Sequence, residues 1–113
     1  MPLDAEFEQL DAATTVVKLS GRMTLGMRLR EIEGQLNQAV EGGVRKLVLD
    51  ASGVEYADSA GLGLLMILYG KMKTVQGSLR IAAPGPSLKQ LFELTNTDKI
   101  LAVYPDREAA LAN

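Results

Sequence analysis

Val44-Arg45-Lys46-Leu47-Val48-Leu49-Asp50 contains a short uninterrupted apolar run, directly behind a stretch whose apolar residues recur at helical spacing. Such a run has no polar side to turn toward water, so it reads as a central strand covered on both faces. A strand of that kind has to be sandwiched by other elements, and the elements around it alternate in type. The chain is therefore expected to fold as α/β layers rather than as a bundle or a β-sandwich.

The flanking periods supply those layers. Leu3, Ala5 and Phe7 alternate with polar or charged residues and Thr15 to Ser20 is β-branched, so two strands open the chain, turning at Asp11 to Thr14. From Gly26 the period changes: Leu29, Ile32, Leu36, Ala39 and Val40 share one helical face, and Gly42-Gly43 stops that helix. After the central strand a turn is expected at Ser52-Gly53, then a second helix from Ser59 to about Gln76, capped by Gly77. Ser78 to Ala82 reads as a strand and Pro86 to Thr95 as a third helix. Ile100 to Val103 reads as a short strand, and Arg107 to Ala112 as a last helix with Asp106 as its N-cap. The order β-β-α-β-α-β-α-β-α, without repeats or a linker, implies one domain over residues 1–113.

Composition narrows the chemistry. The 113 residues include no cysteine and no histidine, which removes thiol nucleophiles, disulfides, zinc fingers and imidazole general bases. No metal site or cofactor is expected. Gly61-x-Gly63 suggests a dinucleotide loop, but the third glycine of G-x-G-x-x-G falls at Met66, and no P-loop occurs, so an enzyme is not expected. A net charge of -2 and a pI near 5.1 lack the field of a nucleic-acid binder. The start has no basic-then-apolar leader, and the longest apolar segment, Leu62 to Tyr69, is too short to span a bilayer. A cytoplasmic protein with no membrane insertion is the expectation.

The segment from Val54 to Gly63 joins the central strand to the second helix and combines small residues, an acid and a hydroxyl. It puts Ser59 at the helix N-terminus, where unpaired N–H groups favour an anion such as a phosphate on that serine. The same residues also fit a plainer role, in which Ser59 caps the helix and Gly61 and Gly63 allow close packing. On a helical wheel Leu64, Leu65, Leu68, Met72 and Val75 form one apolar face. Leu62, Met66, Gly70 and Lys73 lie roughly opposite, with Tyr69 at the boundary. An apolar outer face beside Ser59 is either a docking surface or covered by the same chain.

Asp58-Ser59-Ala60-Gly61-Leu62-Gly63 resembles the D-S-[S/T]-G-[L/V]-G motif of the STAS domain proteins called anti-sigma factor antagonists. The resemblance extends through Leu19-Ser20-Gly21, Lys46 to Asp50, Gly77 to Ile81, and Leu88 to Phe92 with Ile100. It implies a mixed sheet of about five strands with about four helices packed mainly on one face. It also implies that Ser59 is phosphorylated by an anti-sigma factor that is itself an ATP-dependent serine kinase, and that a phosphatase reverses the step. The unphosphorylated antagonist, a monomer or weak dimer, binds the anti-sigma factor and frees the sigma factor. Asp58 and Thr24 are the partner-binding residues it points to, beside Leu62, Met66 and Tyr69 of the apolar outer face, and Ala60 replaces the usual second hydroxyl.

This sequence departs from the family pattern after the second strand. Gly21-Arg22-Met23-Thr24 stands where many members have Gly-Glu-hydrophobic-Asp, so both acids are missing from a loop near the partner surface. The same fold also resembles the STAS-like cytoplasmic subunit of a lipid-transport ABC complex, which holds an ATPase partner without phosphorylation. A subunit of a large stress-sensing assembly is a third reading, one that usually requires a further sensory domain.

Overall fold

The computed structural model describes all 113 residues. Its elements are β1 (Asp4–Gln9), β2 (Thr14–Met23), α1 (Met27–Glu41), β3 (Lys46–Ala57), α2 (Ser59–Thr74), β4 (Ser78–Ala82), α3 (Pro86–Leu94), a 3-10 turn (Thr97–Lys99), β5 (Ala102–Tyr104) and α4 (Arg107–Leu111). The five strands form one sheet in the order β1-β2-β3-β4-β5, with β1 antiparallel to β2 and the remaining neighbours parallel. The mixed α/β sheet with four helices expected from the sequence is what forms.

Side-chain alternation on the central strands divides the core in two. Val17, Leu19, Leu47, Leu49, Leu79 and Ile81 point to one face and meet Ile32 and Leu36 of α1, Leu65 and Leu68 of α2, and Leu88 and Phe92 of α3. Val16, Val48 and Ala82 point to the other, where Ala110 of α4 covers them. Three helices on one face and one short helix on the other explain why β3 is buried from Leu47 to Ala51. Each fully buried leucine contributes roughly 1.5–3 kcal/mol relative to an exposed one, so the larger face carries most of the stability.

The short helix α4 is held by polar contacts in addition to packing. Asp106 caps it, accepting the Ala109 N–H at 2.8 Å. Arg80 of β4 donates to the main-chain oxygens of Ala110, Ala112 and Asn113, and Lys46 of β3 to that of Leu111, so cations of the sheet satisfy acceptors at the end of the helix and just beyond it. Arg107 reaches Asp50 of β3 at 2.9 Å. Burial raises the Asp50 carboxyl, but the N–H and hydroxyl of Ser52 and the Arg107 guanidinium together hold it below the usual range.

Four local expectations are corrected. Ser52-Gly53 is no turn: β3 continues to Ala57, because β2 also continues, pairing Ser20 with Gly53, Gly21 with Val54, Arg22 with Tyr56 and Met23 with Ala57. Register shifts on either side of Ser20-Gly21 let both strands bend while staying paired. Hence Gly21 to Met23 is strand rather than loop, and only Thr24 lies beyond it. At the end of α2 the left-handed residue is Gln76, with φ 61°, and Gly77 donates its N–H to Met72. Ile100 lies outside the last strand, which begins at Ala102 after the 3-10 turn.

Candidate functional site

β2 and β3 end side by side, and the site forms where they stop. The residue after β3 is Asp58, in extended conformation, and its carboxylate binds three backbone donors: Ala60 N–H at 2.9 Å, Gly61 N–H at 3.0 Å and Leu25 N–H at 3.0 Å. Asp58 also donates its own N–H to the Met23 carbonyl. The N-cap of α2 is therefore Asp58 rather than Ser59, and the same side chain ties the β2–α1 connection to the start of α2. The Leu25 N–H foremost, then those of Gly61 and Ala60, hold the Asp58 carboxyl below the ordinary carboxylate range.

Two consequences follow for Ser59. It is the first residue of α2, exposed, and its hydroxyl makes no hydrogen bond within the chain. The helix N–H groups expected to be open to a phosphate are in part taken, since Ala60 and Gly61 already donate to Asp58. Gly61 is required by packing: a Cβ there would collide with the Met23 carbonyl oxygen, so the close approach of α2 to the end of β2 depends on this glycine.

The outer face of α2 differs from the helical-wheel reading. Leu62, Met66 and Tyr69 are half-buried and pack against the main core, with Lys73 Nζ 5.5 Å from the Tyr69 ring centre. The exposed apolar residue is Ile67, 48% accessible, between Gly63 and Gly70, where an added Cβ would meet nothing within 4 Å. A wheel built at ~100° per residue misassigned the outer stripe because α2 is apolar nearly all round, leaving no polar face to orient it.

Apolar residues outside α2 complete the surround. Leu25 and Met27 are 70% and 81% exposed on the Asp58 side. Tyr56, Leu91 and Leu94 line an open groove of about 460 Å³ with Asp58, Ser59 and Ser87. None of these five was singled out as a partner-binding residue from sequence. Leu25 and Met27 flank Gly26 outside any periodic pattern, which is the signal they carried. Thr24 is half-buried at the end of β2, one residue from Leu25. Thus Thr24, Asp58 and Ser59 share one corner, whereas Tyr69 lies almost three turns along α2 from Ser59.

Residues 7–103 match the family model described as Mlab, STAS domain. The chain belongs to the STAS domain family. This STAS domain is 33% identical over 82 residues to BtrV of Bordetella bronchiseptica, provisionally named an anti-sigma factor antagonist, covering 73% of this chain and 71% of that protein. The crystal structure of an anti-sigma factor antagonist from Mycobacterium paratuberculosis superposes with a TM-score of 0.83 at 30% identity, covering 97% of this chain and 92% of the other. The phosphorylated form of Bacillus SpoIIAA shares the fold, with a TM-score of 0.75 at 20% identity over 94% of this chain and 96% of that one. No helix of the STAS domain is long and apolar enough to cross a membrane.

Proposed function

We propose that this STAS domain is an anti-sigma factor antagonist of the cytoplasm, whose binding to a kinase-type anti-sigma factor is switched by phosphate on Ser59. The observation that carries the reading is the free, exposed hydroxyl of Ser59 at the centre of an apolar rim. Asp58 holds the backbone on either side of that hydroxyl, so an approaching active site meets a fixed acceptor. Asp58, Thr24, Leu62, Met66 and Tyr69 contribute to the partner-binding region, the last three largely by shaping the helix from beneath. A phosphatase resets the switch.

The sign of the switch follows from charge. A phosphate adds about -1.5 to -2 charges at pH 7, beside the Asp58 carboxylate and among exposed apolar side chains. Docking the modified form desolvates that charge, so the phosphorylated chain binds its partner more weakly. Incubation with the cognate kinase and ATP-Mg should add one phosphate, on Ser59, read by mass spectrometry. Ser87 is the nearest rival, since it is exposed and lines the same groove. Modification of Ser87, Ser52 or Ser78 with Ser59 untouched removes the proposal.

A second reading, the subunit of a lipid-transport ABC complex, draws on one observation. Gly63 and Gly70 leave the outer stripe of α2 open to close approach by another backbone on either side of Ile67. Partner binding that is unaffected by phosphate on Ser59 favours this reading over the switch.

A further inference from the structure

Arg22 stands at the end of β2 beside Tyr56, its guanidinium carbon 4.8 Å from the ring centre. The stack fixes the direction of an otherwise mobile cation. Arg22 is exposed, and no carboxylate of the chain pairs with it. The nearby acids have other partners: Asp58 accepts three backbone N–H groups, Asp4 pairs with Arg28 at 2.8 Å, and Glu55 faces the Met1 amino group at 3.9 Å.

Arg22 lines a notch of about 400 Å³ beside the β2–α1 connection, whose walls include Leu25 and Met27. The other charged side chain there, Arg28, is neutralised by Asp4 and Glu31. The notch is thus partly apolar, with one guanidinium that no carboxylate of the chain offsets and no carboxylate in its lining. It is continuous with the Ser59 corner, because the Leu25 N–H rests on Asp58. A partner that covers Leu25 and Met27 also takes Arg22 out of water, and a guanidinium desolvated without a counter-charge opposes binding strongly.

We propose that Arg22 is a specificity-determining residue of this docking face, and that the partner protein meets it with an aspartate or glutamate set among apolar side chains. The proposal rests on the reading of this corner as a protein-docking site. A lipid surface fits less well, because binding anionic lipid takes several cations together and the chain carries a net charge of -2.

The test is calorimetric titration of the purified kinase-type anti-sigma factors of the same organism with wild-type chain, Arg22→Ala, Arg22→Lys and Arg22→Glu, at low and high salt. Circular dichroism should show all variants folded, as Arg22 is exposed. Arg22→Glu should weaken binding at least about tenfold and Arg22→Ala by less, with Arg22→Lys nearest to wild type. The affinity of Arg22→Ala should depend less on salt than that of wild type. Wild-type binding that is indifferent to Arg22→Glu overturns the inference and leaves the docking function standing. Failure of wild type to bind any such factor overturns both. Binding to phosphatidylglycerol vesicles that is lost in Arg22→Glu assigns the notch to lipid and overturns the inference alone.

Discussion

Gly61 and Gly63 stand two positions apart in the same motif and have opposite physical roles. Gly61 faces the end of β2, so Gly61→Ala should press its methyl into Met23 and cost about 1–3 kcal/mol, measured by denaturant unfolding. Gly63 faces open space, and Gly63→Ala should be neutral or stabilise by up to about 1 kcal/mol, since alanine is the better helix former. A destabilised Gly63→Ala would mean that the start of α2 is packed more tightly than described. Asp58 is the other residue of local consequence. Asp58→Ala leaves the Leu25, Ala60 and Gly61 N–H groups without their acceptor and should lower the melting temperature by several degrees, whereas Ser59→Ala, which removes no hydrogen bond, should leave it unchanged.

At the scale of elements, α2 and α4 are held in different ways. Leu68 is fully buried, and Leu68→Ala should cost roughly 2–5 kcal/mol. Ile67, one residue earlier, is half exposed, so Ile67→Asp should leave thermal stability nearly intact while weakening partner binding. Met66→Asp should destabilise the fold, because Met66 packs against the core. Equal melting temperatures for Met66→Asp and Ile67→Asp would refute this orientation of the helix. For α4, Arg107→Ala removes the guanidinium from Asp50 and leaves a carboxylate largely out of water. A loss of about 1–2 kcal/mol is expected, with faster amide exchange confined to residues 107–111 and their contacts.

For the whole molecule, the response to acid follows from four aspartates. Asp4 is held below the ordinary value of 3.8 by Arg28 foremost and Asp11 by the Ala13 N–H. Asp50 and Asp58 are lowered by the contacts described above. A carboxyl with a lowered pKa in the folded state binds protons more weakly there than in the unfolded chain. Its contribution is therefore fully present above the ordinary value and is lost as the pH falls through the lower, folded values. The melting temperature should stay nearly flat from about pH 5 to 8, where no histidine titrates, and decline below about pH 4. Asp58→Asn should shallow the acid limb, and an unchanged limb would show that the Asp58 contacts do not persist in solution.

Element identities and their order were legible in the sequence, because they depend on local period: two for the opening strands, 3.6 for α1 and α3, and an unbroken apolar run for β3. The motif was legible for a related reason, since a small-residue turn carrying an acid and a hydroxyl before a helix leaves a local pattern. What the sequence did not reveal depends on contacts between distant segments. β3 runs through Ser52-Gly53 because β2 extends alongside it, and Asp58, whose capping of α2 is local, also ties down the β2–α1 connection because Met23 and Leu25 come to meet it. Ile67, Leu25, Met27, Tyr56 and Leu94 became recognisable as surface only once packing had determined which neighbours cover them, for exposure is a property of the assembled layers and not of any one segment.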